Sequence, residues 1–431
     1  MFRYIALFSF FYCIYQPIMS QARTDKYLAE ILARAGNDSV NKILRNPETY
    51  RLQSIYTQIN RDKHNKPSFH NYYFNYDPNL YFNPASMVKL PLAFLALEKL
   101  NTLNKKQIDK YTPVVFDSSY AGQKPLYQEP SSESGLPSIA HFIKRAFLIS
   151  ENDPYNRMYQ FVGQQTINQS LHAKGYKDAR ITRQFMGFTA EANRHTNAVR
   201  FFNPDGSTRY YQPPAYNPVA FDFSRKILLG KAHYDRNENL VAAPYDFTEH
   251  NNLPLDDMQQ LLQSVLFPAS VPKQQRFNLS QDDYTFLYRY LSQFPSETPY
   301  PKYDTLLFYD SYAKFFFRDQ THQMPPQVRV FNKTGWAYGF LTDVSYVADF
   351  GHKVEYMLAA TLYVNSDGVL NDGKYDYDTI GHPFLYQLGQ IIYNYELARE
   401  RKYKSNLSAF QVPYERRDPN DTRPALRNVD N

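Results

Sequence analysis

Strand signals gather at two places in this chain, with a long, mostly helical stretch between them. That order limits the available folds more than any other feature. Toward the N-terminal end, the Tyr- and Phe-rich run 71–82 reads as a strand. Toward the C-terminal end, 328–333, 344–350 and 356–364 read as three strands, and 384–398 as a closing helix. Residues 24–60 show helical spacing in Tyr27, Leu28, Ile31 and Leu32, then in Val40, Ile43 and Leu44. Further helices are predicted over 86–100, 139–149 and 155–162, the last after a break at Asp153-Pro154. Two more are expected over 256–266 and 281–291, the second capped by Ser280. Within 193–211 the turn residues Asn203-Pro204-Asp205-Gly206 separate two β-rich runs and predict a hairpin. The expected fold is therefore α/β (α+β): an antiparallel sheet built from both ends of the chain, flanked by helices, with an all-helical lobe inserted. One domain over 23–400 is expected, with insertions around 193–252 and 295–325. The polar segment 401–431 lacks an apolar period and is expected to be a loosely ordered tail.

The N-terminus opens with Met1-Phe2-Arg3, continues apolar to about Met19, and ends in Ser20-Gln21-Ala22. A basic start, an apolar core and small residues before the cut make 1–22 a secretory signal, so a secreted or periplasmic protein is expected. The chain's one cysteine, Cys13, lies inside that segment, which excludes a disulfide framework and any multi-cysteine metal site. No later apolar run is long enough for a membrane span after signal cleavage. A net charge of +6 without a clustered patch argues against nucleic acid. With no H-x-x-x-H pair among the ten histidines and no G-x-S-x-G, neither a zinc hydrolase nor an α/β-hydrolase is supported, and no metal or cofactor is expected.

Three short motifs carry chemistry. Ser86-Met87-Val88-Lys89 opens the apolar helix, and residues three apart on a helix share a face, so a hydroxyl and an amine can meet there. Serine needs a base to become a nucleophile, and a desolvated lysine can serve once its pKa falls. Ser150-Glu151-Asn152 follows at a helix end. Lys333-Thr334-Gly335 ends a strand, where glycine often marks the close approach of a ligand or backbone. Taken alone, Ser86 and Lys89 read as a helix start with a solvated lysine; the two partner motifs change that reading.

Together, in this order, the set resembles the signature of class A β-lactamases and penicillin-binding proteins, S-x-x-K, S-D-N and K-T-G. The resemblance spans roughly residues 30–400. It implies that Ser86 is the acylated nucleophile, Lys89 its activator, and Ser150 a proton relay to the leaving nitrogen. It further implies that Asn152, Lys333, Thr334 and Gly335 form the substrate-binding set, Lys333 and Thr334 holding a carboxylate. Backbone N–H groups of Ser86 and Trp336 would make the oxyanion hole, leaving the Trp336 side chain for packing.

Two departures stand out. Glu151 replaces the usual Asp. The family's deacylation glutamate, four residues before an asparagine, has no counterpart in 180–197; Glu191 is the carboxylate that follows the loop start, and Asn193 lies two residues on. Glu191 is therefore the candidate deacylation base, against the plainer reading of a surface acid. The expected activity is that of a secreted serine hydrolase opening a β-lactam or a related amide or ester. The alternatives are a D-alanyl-D-alanine peptidase or transpeptidase acting on cell-wall peptide, and a non-catalytic cell-wall-binding protein of the same fold. The tyrosines of the insertions, such as Tyr210-Tyr211 and those within 309–317, suit either a substrate groove or inter-loop packing.

Overall fold

The computed structural model describes residues 22–103, 107–185 and 187–429. The predicted signal lies almost wholly outside the described residues. No helix among them is long and apolar enough to cross a membrane.

Helices α1 (Lys26–Ala35) and α2 (Asp38–Leu44) lead into strands β1 (Gln53–Arg61) and β2 (Pro67–Phe74). The helical reading of 24–60 thus holds only to Leu44. Beyond Asn46-Pro47 the period changes from helical to alternating, and Ile55, Thr57 and Ile59 point one way from β1, packing into the core. The strand expected over 71–82 starts earlier and ends at Phe74, because Asn75 takes a positive φ of 48° and turns the chain away.

Next come α3 (Lys89–Leu103), β3 (Val114–Asp117), α4 (Ile139–Leu148), α5 (Asn152–Val162) and α6 (Gln164–Ala173). Asp153-Pro154 does not break a helix. It sits in the first turn of α5, where a missing N–H costs nothing. The break falls at Ser150, whose φ is +69°. Helix α6 had no clear sequence signal, because only Ile167 and Leu171 among its residues are buried apolar anchors. The predicted hairpin is β4 (Ala198–Phe202) and β5 (Thr208–Gln212), and it pairs with β3, so the inserted lobe carries a three-stranded sheet beside its helices. Four short strands follow: β6 (Leu228–Leu229), β7 (Ala232–Tyr234), β8 (Leu240–Val241) and β9 (Tyr245–Asp246). The chain closes with α7 (Leu255–Leu266), α8 (Gln281–Ser292), β10 (Val328–Ala337), β11 (Phe340–Asp349), β12 (Val354–Tyr363), β13 (Val369–Leu370) and α9 (His382–Ala398). Ser280 caps α8 by accepting from the Asp283 N–H, while Asp283 accepts from the Ser280 N–H.

The main sheet is antiparallel, in the order β10-β11-β12-β1-β2, so the two ends of the chain do meet in one sheet. One face packs on α1, α2 and α9 through Leu28, Leu32, Val40, Leu385 and Leu388. The other packs on the inserted helices through Phe94, Phe142, Met258 and Leu287. In the 295–325 insertion Phe315, Phe316 and Phe317 are buried, so these aromatics serve packing. Tyr211, by contrast, is exposed.

The tail is not loose. Leu407 and Phe410 are buried against the core. The Glu415 carboxylate accepts from Lys144 Nζ at 2.8 Å, Tyr290 Oη at 2.9 Å, Gln293 Nε2 at 2.8 Å and Thr298 Oγ1 at 2.7 Å. A polar segment with no apolar period is held here by one carboxylate serving four donors. Glu415→Ala leaves buried Lys144 without its counter-ion and should cost about 3 kcal/mol of unfolding free energy. Denaturant unfolding checks this; a loss below about 0.5 kcal/mol would show that the tail merely lies on the surface.

Candidate active site

Ser86 lies in the 3-10 turn Ala85–Val88 that feeds directly into α3, so its hydroxyl stands at a helix start. Ala85 before it has φ +43°, and its N–H donates to Asn83 Oδ1 at 2.8 Å, which holds the strained turn in place. Lys89, one turn later, is fully buried. Its Nζ lies 2.7 Å from Ser86 Oγ, 2.8 Å from Asn152 Oδ1 and 3.3 Å from Ser150 Oγ, and it donates to the Ser150 carbonyl. The positive φ of Ser150 is what lets carbonyl and hydroxyl of one residue face the same amine. Lys333 Nζ donates to Ser150 Oγ at 2.8 Å and to the Thr334 carbonyl at 2.6 Å. The Ser150 hydroxyl therefore bridges two buried amines.

Burial, followed by the nearby Lys333 charge, pushes the Lys89 pKa well below the usual lysine range, with Glu151 opposing. Burial also lowers Lys333, to about 7, against the attraction of Asp343 and with help from Lys314. A neutral Lys89 fits its surroundings. Its two N–H groups donate to Asn152 Oδ1 and the Ser150 carbonyl, and its lone pair is left to accept the Ser86 hydroxyl.

Gly335 sets how close β10 comes to Ser86. A Cβ there would meet the Pro84 carbonyl oxygen at 2.6 Å and Met87 N at 3.1 Å, so no other residue lets this strand lie against the Ser86 turn. Trp336, next along, lines the cavity, while its ring packs on Tyr312 and Phe315 with centroids 5.9 and 5.7 Å away.

The cavity over Ser86 measures about 520 Å³ and is also lined by Ser150, Asn152, Ala337 and Tyr338. Asn83, His250 and Asn251, which the sequence reading had not singled out, complete it together with Arg183-Gln184-Phe185, the entry of the loop in 180–197. Only that loop had a signal, as the start of a family-like segment. Lys333 and Thr334 are buried behind Ser150 and do not line the cavity, and Thr334 Oγ1 has no hydrogen-bond partner.

Two expectations are corrected or completed. Glu191 does not join the cluster. More than half of its side chain is exposed, it accepts from His195 Nε2 at 3.1 Å, and it is absent from the cavity lining. The 3-10 turn Ala192–Arg194 that follows it turns Asn193 inward to accept the Gln184 N–H, which leaves Glu191 on the outside. Beside Lys89 the loop instead presents the Phe185 ring, 5.2 Å from Nζ. Glu151 faces away from the cavity. It accepts from Arg145 Nε at 2.9 Å and Tyr303 Oη at 2.6 Å, so its longer side chain anchors the Ser150 loop to the body.

Residues 38–208 match the model of the β-lactamase enzyme family. The chain resembles the superfamily of serine β-lactamases and penicillin-binding proteins. No curated protein matches it. Among solved structures it is similar to a β-lactamase from Sphaerobacter thermophilus, at 14% identity and TM-score 0.42, covering 82% of this chain and 95% of that one. A β-lactamase from Xanthomonas campestris gives 12% identity and TM-score 0.45, over 85% and 98%. One from Streptomyces albus G gives 11% and 0.44, over 82% and 99%.

Acylation of Ser86, the reaction proposed below, should have a bell-shaped pH profile. It falls at low pH as Lys89 takes a proton, and falls again as pH rises through about 7 and Lys333 loses its charge. Lys333→Ala should flatten the alkaline limb; an unchanged limb would assign it to another group. Gly335→Ala should push β10 off the Ser86 turn and cut acylation by about 100-fold, while circular dichroism reports an intact fold. Near-full activity would show that the turn yields easily.

Proposed function

We propose that this protein is a serine hydrolase that opens a β-lactam, or a related amide or ester, through an acyl-enzyme on Ser86. The observation that carries the reading is the 2.7 Å contact from Ser86 Oγ to a buried lysine whose N–H groups are already engaged by Asn152 and Ser150. Lys89 takes the Ser86 proton as Oγ attacks the carbonyl carbon. The Ser150 hydroxyl, 3.3 Å from Lys89 and 2.8 Å from Lys333, passes a proton toward the leaving nitrogen. Lys333 supports that transfer as a cation directly behind Ser150. The secretory signal read at 1–22 fits an enzyme that meets its substrate outside the cytoplasm.

A second reading, a D-alanyl-D-alanine peptidase or transpeptidase, is favoured by one feature. The described residues lining the Ser86 cavity include no carboxylate, and an aromatic ring stands beside Lys89. Without a placed base, water attacks an acyl-enzyme slowly, and loss of such a base costs about 10²–10⁴ in rate. A β-lactam would then trap the enzyme more than feed it.

Both readings predict one covalent adduct with a penicillin, seen by intact-protein mass spectrometry and mapped to Ser86. Ser86→Ala abolishes it, and Lys89→Met slows its formation by about 10²–10⁴-fold. A label that survives Ser86→Ala contradicts the assignment, and no label at all favours a binding protein of this fold. The adduct should persist for many minutes, and Glu191→Gln should leave both its formation and its decay unchanged. Rapid decay that Glu191→Gln slows would restore Glu191 as the base.

A further inference from the structure

With Lys333 buried behind Ser150 and burial holding His250 neutral at a pKa of about 3, Arg183 is the cation that lines the Ser86 cavity among the described residues. Arg183 and His250 also line a second cleft of about 370 Å³, so the two spaces adjoin and share these residues as a common wall. Three more cations, Arg194, Lys226 and Arg236, line that cleft, against two carboxylates, Asp246 and Glu249. Asp246 accepts the Thr248 N–H at 2.8 Å, and no ion pair joins either acid to these cations among the described residues. Arg194 donates to the carbonyls of Asn217 and Val219 at 2.7 and 2.9 Å. The side chains of Arg183, Lys226 and Arg236 have neither an ion-pair nor a hydrogen-bond partner among the described residues.

The cleft is held open by specific bonds. Asn251 Oδ1 accepts the N–H groups of Thr182 at 2.8 Å and Arg183 at 3.1 Å, tying the Arg183 loop to the 193–252 insertion. Asn156 of α5 holds Phe185 through a pair of bonds at 2.9 and 3.0 Å, tying the same loop to the helix that begins at Asn152. The cations are thus contributed by two segments fixed to one another, and they line a space that adjoins the Ser86 cavity at Arg183 and His250. Unpaired cations in a shaped, partly enclosed cleft repel each other and favour an anion between them.

We propose that this cleft is an anionic subsite: Arg183, Lys226 and Arg236 bind a remote carboxylate on the acyl portion of the substrate. The assignment rests on the acyl-enzyme reading above, and the placing of the acyl portion over Arg183 is itself part of the proposal. The subsite selects acidic acyl chains, and the 193–252 insertion supplies Lys226 and Arg236 to it.

The test uses two thioester substrates that differ only at the acyl terminus, a glutaryl group ending in a carboxylate and its carboxamide twin. The wild type should acylate faster with the carboxylate by about tenfold or more in kcat/KM, as expected for a charge-assisted contact. The preference should shrink at high salt and collapse toward unity in Lys226→Gln/Arg236→Gln. Equal rates in the wild type, or a preference that survives the double variant, overturn the proposal. Equilibrium binding of both thioesters to Ser86→Ala separates this from the chemistry. Tighter binding of the carboxylate, lost in the added double variant, supports the subsite even if Ser86 is never acylated. Equal binding overturns it even if Ser86 is acylated.

Discussion

A buried amine with nowhere to put a charge is the constraint on which this site depends. Lys89 is fully enclosed, and its hydrogen-bonding neighbours are one side-chain amide, one backbone carbonyl and two hydroxyls. No carboxylate pairs with it among the described residues. Glu151, adjacent in sequence to Ser150, is committed to Arg145 and Tyr303 instead. Desolvation outweighs the remaining attraction and favours the neutral amine. Had Glu151 turned toward the lysine, an ion pair would have fixed the proton on nitrogen and removed the base.

The fold exists, from this viewpoint, to bring three distant segments around that amine. The helix start supplies Ser86 and Lys89, the α4–α5 connection supplies Ser150 and Asn152, and β10 supplies Lys333. Each junction has a local device. A strained Ala85 precedes Ser86, a positive φ at Ser150 turns two oxygens onto one nitrogen, and the missing Cβ of Gly335 lets the strand close on the turn. Backbone strain at such positions costs roughly 1–3 kcal/mol each and survives because the surrounding core holds it. Here that core is a sheet packed on both faces.

Much of this was legible in the sequence, and the failures have definite causes. The strands at both ends were readable because β-rich runs alternate strongly. The helical reading of β1 failed because helical spacing in the preceding residues was carried past Asn46-Pro47. The three motifs were readable as motifs, since each keeps its residues within a few positions. Relations across the chain were not. Nothing in the spacing of Arg145, Glu151 and Tyr303 announces a buried cluster, and nothing in Glu415 announces four donors. Glu191 was proposed by position along the chain, and one short 3-10 turn was enough to face it outward. Lys333 was read as a carboxylate anchor that also tunes Ser150; its Nζ donates to Ser150 Oγ and the Thr334 carbonyl, which leaves one N–H of the ammonium form uncommitted. Arg183 was read only as part of the loop entry and given no role of its own, although it is the cation lining the cavity among the described residues.

The charge state of Lys89 is the centre of the account, and it can be read without any substrate. Selective ¹³C labelling of lysine side chains, with the Lys89 signal assigned by comparison with Lys89→Met, gives its titration by NMR. The account predicts a midpoint well below the ordinary lysine value of 10.5. A Lys89 that stays charged up to pH 9 would contradict it, because a protonated lysine cannot accept the Ser86 proton.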